Sequence, residues 1–197
     1  MIEVYNYFNH TWGYVELAGT IASLICVYLA TKQNIWTWFW GALGVALFGP
    51  LFYHYNLYSD AGLQILFFLP LQYIGYRYWK SNGPTDNKPV NIMSVSSFAW
   101  IAYFILILAY WNGLYMELNT DASYPYWDAL TTWISIFASV LMLKKYLESW
   151  TLWITMDIIA IPIYYSKELY VVSGLYTIFL GLAIYGYYSW HKELKAN

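Results

Sequence analysis

The chain has 197 residues, a formal net charge of −2, 60% hydrophobic and 23% aromatic residues, and only 10% charged ones. A soluble globular domain carries roughly 25% charged residues, so this composition leaves too little polar surface to cover a water-soluble fold. With nine Lys and Arg against eleven Asp and Glu, no nucleic-acid partner is expected.

Seven apolar segments follow one another at 13–31, 35–53, 58–79, 94–113, 126–143, 149–166 and 169–190. Each is near the ~20 residues an α-helix needs to cross ~30 Å of hydrocarbon. Strands of a membrane barrel would be about half as long and would alternate polar with apolar residues. The first segment holds Cys26, the only cysteine, so no intrachain disulfide forms. The second opens on Trp36, Trp38 and Trp40 and carries Pro50 late. The third holds Gln64 and Gln72, two turns apart on roughly one face. Lys80–Asn91, with Asn82, Gly83, Pro84, Asp86, Asn87 and Pro89, reads as a linker. The fourth segment is a linking helix. The sixth carries Trp150, Trp153, Asp157, Pro162 and Tyr164, and the seventh carries Tyr176 and Tyr185. The N-terminus lacks the basic start and cleavage pattern of a signal peptide.

Basic residues set the orientation. Lys32, Arg77, Lys80, Lys88, Lys144, Lys145, Lys192 and Lys195 fall at alternate loops and the C-terminus. The opposite side has Lys167 among Glu3, Asp60, Glu117, Asp121 and Glu168. This places the N-terminus outside and the C-terminus in the cytoplasm, as an odd number of helices requires.

A shift of 112 residues brings the two halves into register. Glu16 meets Asp128, Thr20 meets Thr132, Ser23 meets Ser135, Lys32 meets Lys144, Trp38 meets Trp150 and Pro50 meets Pro162. Leu57-Tyr58 meets Leu169-Tyr170, and Gly62-Leu63 meets Gly174-Leu175. One residue of slippage then aligns Gly75-Tyr76 and Trp79 with Gly186-Tyr187 and Trp190. The first and fifth helices run in the same direction, so the repeats are parallel. The expected fold is therefore an all-α integral membrane protein with seven transmembrane helices in a 3-1-3 plan. A first bundle spans 1–79. The linker, linking helix and outer loop span 80–125, and a second bundle spans 126–197. Pro50 and Pro162 each remove a backbone hydrogen bond and mark paired kinks that serve either a gate or static packing.

Asp157 lies midway along the sixth helix, where a carboxylate costs at least ~2.5 kcal/mol on insertion scales. No lysine or arginine lies at a comparable depth, so the missing cation is a substrate or a proton; the alternative is a structural Asp held by Ser, Thr or Tyr. Trp150, Trp153, Asp157 and Tyr164 share one helical face. A carboxylate flanked by indoles suits a flat organic cation through charge pairing and cation–π contact. Buried amides both donate and accept, so Gln64 and Gln72 suit either solute recognition or helix–helix bonding. Glu16 and Asp128, near the outer ends of paired helices, either attract cations or act as solvated caps.

Enzyme signatures are missing, and the chain reads as a protein that is not an enzyme and carries no cofactor. His10, His54 and His191 make no metal cluster, and there is no phosphate loop, nucleotide motif or serine elbow. A retinal protein needs a lysine deep in the seventh helix, and 169–190 has none.

The stretches Glu16–Trp79 and Tyr124–Trp190 resemble the PnuC-type vitamin transporters. The resemblance rests on Glu16-Leu-Ala-Gly-Thr-Ile-Ala, Leu57-Tyr58 with Gln64, Gly75 with Trp79, Pro125-Tyr-Trp-Asp128, Lys144-Lys145-Tyr146 and Trp150-Thr-Leu-Trp153. It implies a fold like that of the SWEET sugar carriers, facilitated diffusion of a water-soluble vitamin, a site between the half-bundles and a homotrimer. It also implies trapping of the solute by a cytoplasmic vitamin kinase. The family's nicotinamide riboside pattern carries asparagine where this chain has Gly44, Asp157 and Tyr185, while Gln64, Trp150 and Trp153 match it.

The resulting expectation is a bacterial inner-membrane facilitator for a cationic vitamin, with thiamine favoured and nicotinamide riboside as the alternative. Asp157 pairs with the cation or an aminopyrimidine, Trp153 stacks on a ring, and Gln64 and Gln72 hydrogen-bond. Tyr164, Tyr176 and Tyr185 line the cavity, and Trp38 and Trp150 flank it. Two remoter alternatives are a binding subunit serving an energising partner and a proton-coupled carrier that uses Asp157.

Overall fold

The structure, a computed structural model, describes residues 11–54, 61–80, 89–120, 124–166 and 170–196. Leu57-Tyr58 and most of the 80–91 linker lie outside the described residues. The helices are α1 (Thr11–Thr31), α2 (Trp36–His54), a π-helical segment (Leu63–Phe68) that runs into α3 (Leu69–Lys80), α4 (Val95–Asn119), α5 (Pro125–Leu143), α6 (Glu148–Ser166) and α7 (Tyr170–Ala196). Among the described residues the only strand-like pairing is a parallel bridge between Asn91 and Tyr146.

Two helix ends differ from the sequence expectation. The linking helix runs to Asn119 rather than to 113. Gly113, at the end of that expected segment, is buried within the helix, and a Cβ on it would lie 2.5 Å from the Tyr126 ring. The glycine permits close packing of α4 on α5 and does not end the helix. The seventh helix continues past Trp190 to Ala196. Helix formers such as Lys192, Glu193 and Lys195 carry it beyond the apolar run, and Lys195 suits the negative helix end.

Three helices are long and apolar enough to cross a membrane by length and composition: Trp12–Thr31, Val95–Asn119 and Pro125–Leu143. The rest are rich in Trp, Tyr, Gly and Pro, which weigh little on a hydropathy scale although Trp and Tyr suit the membrane interface. Apolar side chains point outward along much of the chain, as with Leu66 and Val95, at 80% and 88% exposure. In water such faces would be costly; in lipid they are solvated.

The chain divides into two compact units, Met1–Asn87 and Lys88–Asn197. In the first, α2 packs against α1 and against the π segment and α3. In the second, α4 packs on α5, α5 on α6 and α6 on α7. Its core gathers Ile105, Ile134, Ala138, Leu141, Leu152, Met156 and Ala160.

Each unit builds the same turn and the same tryptophan clasp. At the α1 end, Asn34 N–H donates to Leu29 O at 2.9 Å and Gln33 N–H to Ala30 O at 3.0 Å. At the α5 end, Tyr146 N–H donates to Leu141 O and Lys145 N–H to Met142 O, each at 3.0 Å. This is a Schellman cap in both cases. Its left-handed residue is Gln33 (φ 52°) in one unit and Lys145 (φ 55°) in the other, 112 positions apart. Five residues on, the Trp38 indole meets Trp79 edge-on at 5.2 Å and 89°, and Trp150 meets Trp190 at 5.5 Å and 89°. Trp79 and Trp190 are fully enclosed. Pro50 and Pro162 lie inside α2 and α6 at equivalent places.

The end of the linker is fastened within the second unit. Asn91 N–H donates to Lys145 O at 2.8 Å, and Leu147 N–H donates to Asn91 O at 2.9 Å. Glu148 Oε1 accepts from Met93 N–H at 2.8 Å. Ser94 then caps α4 by accepting from Ser97 N–H at 3.1 Å.

Candidate functional site

Asp157 is the centre of the site. Its helix, α6, carries apolar residues on every side, so the carboxylate is turned inward with Met156 and Ala160 and retains 2% exposure. Among the described residues no hydrogen bond or ion pair reaches it. A buried carboxylate without a partner is costly, which makes Asp157 a candidate position for function.

Aromatic side chains lie to either side of Asp157 along α6. Trp153, one turn before Asp157, is half-buried against the apolar core. Tyr164, two turns after it, stacks on Tyr176 of α7 at 5.0 Å and 27° between ring planes. Tyr176 also meets Phe179 edge-on at 6.0 Å. Ser173 donates to the Ile161 carbonyl at 3.1 Å and ties α7 to α6 beside Pro162. Asp157, Trp153, Tyr164 and Tyr176 thus lie on two packed helices of one unit. Tyr185 is 45% exposed on α7.

Trp38 and Trp150 have a packing role that sequence spacing does not reveal. A Cβ on Gly75 would lie 2.3 Å from the Trp38 ring, and one on Gly186 would lie 2.6 Å from the Trp150 ring. Each indole fills a notch that only glycine leaves open. Their Nε1–H groups are buried without a partner among the described residues, so each retains a donor.

In the first unit, Gln72 sits in a helix crossing. Its Oε1 would lie 2.4 Å from a Cβ on Gly41, beside Cys26. Cys26 is itself tied to Thr37, whose hydroxyl donates to the Cys26 carbonyl at 2.8 Å. Gln64 lies in the π segment, its Cβ facing Gly49, the residue before Pro50. Gly44 is closed against α1, where an added Cβ would come within 2.9 Å of the Ser23 hydroxyl. An asparagine there would need Ser23 to move. Among the described residues no cluster of His, Cys, Asp or Glu is placed to hold a metal.

Apolar helices that expose apolar faces and bury one carboxylate are the features of a multi-pass membrane protein, the class that holds the small-solute transporters. The family profile described as nicotinamide mononucleotide transporter matches residues 13–192, and the chain belongs to that family of membrane transporters. The nicotinamide riboside transporter PnuC of Escherichia coli (strain K12) is 28% identical, over 93% of this chain and 87% of its own length. PnuC of Haemophilus influenzae is 27% identical, over 93% and 85%. The riboflavin/roseoflavin transporter RibM of Streptomyces davaonensis is 27% identical, over 95% and 89%. The crystal structure of the vitamin B3 transporter PnuC matches with a TM-score of 0.77 at 22% identity, covering 99% of this chain and 88% of that one. That likeness establishes the fold.

Proposed function

We propose that this chain takes up a cationic, water-soluble vitamin through the bacterial inner membrane by facilitated diffusion, and that nicotinamide riboside is its substrate. The observation that carries the reading is Asp157, buried and without a partner among the described residues, on the α6 face that also carries Trp153 and Tyr164. A positively charged ring supplies the charge the carboxylate lacks, and the aromatic faces favour it further. A neutral isoalloxazine gains nothing from that carboxylate, which sets this chain apart from its riboflavin-named relative. Several relatives are named for nicotinamide riboside, and these names favour it over the thiamine reading suggested by Gly44, Asp157 and Tyr185 at the family's asparagine positions.

Thiamine remains the second reading, on one observation. Asp157 stands where the family's nicotinamide riboside pattern carries asparagine, and an acidic group suits an aminopyrimidine as well as a cation.

The rest of the reading rests on the repeat and charge pattern of the sequence and, for the trimer and the kinase, on the resemblance to the family. The helices form a 3-1-3 plan of parallel repeats, with the N-terminus outside and the C-terminus in the cytoplasm. The protein assembles as a trimer, and a cytoplasmic kinase phosphorylates the entered vitamin so that it stays inside. Gln64 hydrogen-bonds the solute, and Trp38 and Trp150 offer their free indole N–H groups.

The test is uptake by the purified protein alone in liposomes, with nicotinamide riboside and thiamine as separate solutes. Saturable entry of nicotinamide riboside without an imposed gradient supports the reading. Entry of thiamine alone transfers it to the second substrate. Entry that follows only a pH gradient makes Asp157 a proton site, and no entry at all leaves a binding subunit that needs an energising partner.

A further inference from the structure

The repeat loses register by one residue between Leu63 and Gly75. Gly62-Leu63 aligns with Gly174-Leu175 at an offset of 112, but Gly75 and Trp79 align with Gly186 and Trp190 at 111. The third helix therefore spends twelve residues where the seventh spends eleven. The π-helical segment Leu63–Phe68 lies in that interval, and Leu69 N–H donates to Gln64 O, five residues back. Over the same interval α7 is continuous α-helix. A single-turn π segment is how an α-helix absorbs an added residue, and such segments concentrate at functional sites.

The geometric effect falls on Gln64. In an unbroken α-helix, at about 100° per residue, Gln64 and Gln72 would lie about 80° apart around the axis. With one residue taken up by the wider turn, their spacing acts as seven helical steps, and they fall within about 20° of one line. The clasp downstream stays in place: Gly75 still receives Trp38, and Trp79 still meets it edge-on.

We propose that the extra residue of the third helix is a positioning device, whose π segment turns Gln64 onto the line of Gln72 while leaving the tryptophan clasp in register. The proposal rests on the reading of Gln64 as a solute-contacting residue. It explains why the halves differ here: Gln64 answers to Tyr176 at the 112 offset, so the added turn gives the first unit an amide set apart from its counterpart.

Deletion of Leu66 tests it. That side chain is 80% exposed, so its removal restores an α-helical length at small packing cost. Parent, Gln64→Ala, the Leu66 deletion and the two changes combined are compared in full-length protein, by tryptophan quenching with nicotinamide riboside and by melting temperature. The expected result is a folded deletion variant that melts no lower than the parent and binds about tenfold more weakly, the loss of one hydrogen bond to a charged ligand. Gln64→Ala shows a similar loss, and the combined variant is no weaker than the deletion alone, because both act through one side chain. Full affinity in the deletion variant, with affinity lost in Gln64→Ala, overturns the positioning role alone. So do additive losses, and so does failure of both the Leu66 and the Ile65 deletions to fold. Unchanged affinity in Gln64→Ala instead removes Gln64 from the site, and the proposal falls with that reading.

Discussion

Trp150 occupies the notch left by Gly186, so closely that an added Cβ would lie 2.6 Å from its ring. The same relationship holds between Trp38 and Gly75, where the distance is 2.3 Å. Alanine at either position forces the indole out of its seat and disturbs its edge-on contact with Trp190 or Trp79. Gly186→Ala and Gly75→Ala are each expected to destabilise by about 1–3 kcal/mol, in the range of overpacked cores. Thermal melts in detergent check this, with Gly75→Ala the more severe of the two. An unchanged melt would mean that the clasp yields at no cost.

Asp157 sets stability against binding. A buried carboxylate without a partner weakens the folded state, and the same group meets a cationic solute. Asp157→Asn is therefore expected to raise the melting temperature while weakening solute binding by at least about 2 kcal/mol, roughly thirtyfold. Asp157→Ala should lose as much affinity and remain folded. Tryptophan quenching and melting of the same samples separate the two effects. Unchanged affinity in both variants would remove Asp157 from the site.

The turns at Gln33 and Lys145 adopt a left-handed backbone that glycine enters without a Cβ penalty. Gln33→Gly is expected to be neutral or stabilising by up to about 1 kcal/mol. Gln33→Val, β-branched at the same φ, should cost at least as much as the glycine gains. A melting series over the three residues reads the order Gly, Gln, Val.

Glu148 accepts from the Met93 N–H. Glu148→Ala leaves that amide without its carboxylate, and a loss of about 1–3 kcal/mol is expected for a hydrogen bond to a charged acceptor. Hydrogen–deuterium exchange at Asn91–Met93 should quicken, while exchange in the α1–α2 turn stays as it was. Equal quickening at both turns would point to general loosening instead.

Much of the architecture is legible in the sequence, because long apolar runs in a charge-poor chain admit few other folds. The repeat is legible too, since Trp38, Pro50, Trp150 and Pro162 fall at one offset and reappear in matching structures. What composition does not reveal is decided by packing. Gly113 ends the apolar segment drawn from the sequence, yet the helix passes through it and packs it against Tyr126. Gln33 and Lys145 give no local sign of a left-handed backbone, because neither is a glycine. Trp150 shares a helical face with Asp157, yet only the structure seats it against Gly186. The π segment lies between these cases: its trace in the sequence is the single residue by which the halves fall out of step.

The fastening of Asn91 and Met93 to the turn before α6 bears on how this chain tolerates being cut. A break within residues 81–88 would leave a C-terminal fragment whose opening residues already pair with Lys145 and Leu147, and whose first helix is already capped by Ser94. That fragment carries its own starting anchor, so co-expression of the two pieces would begin from a natural seam.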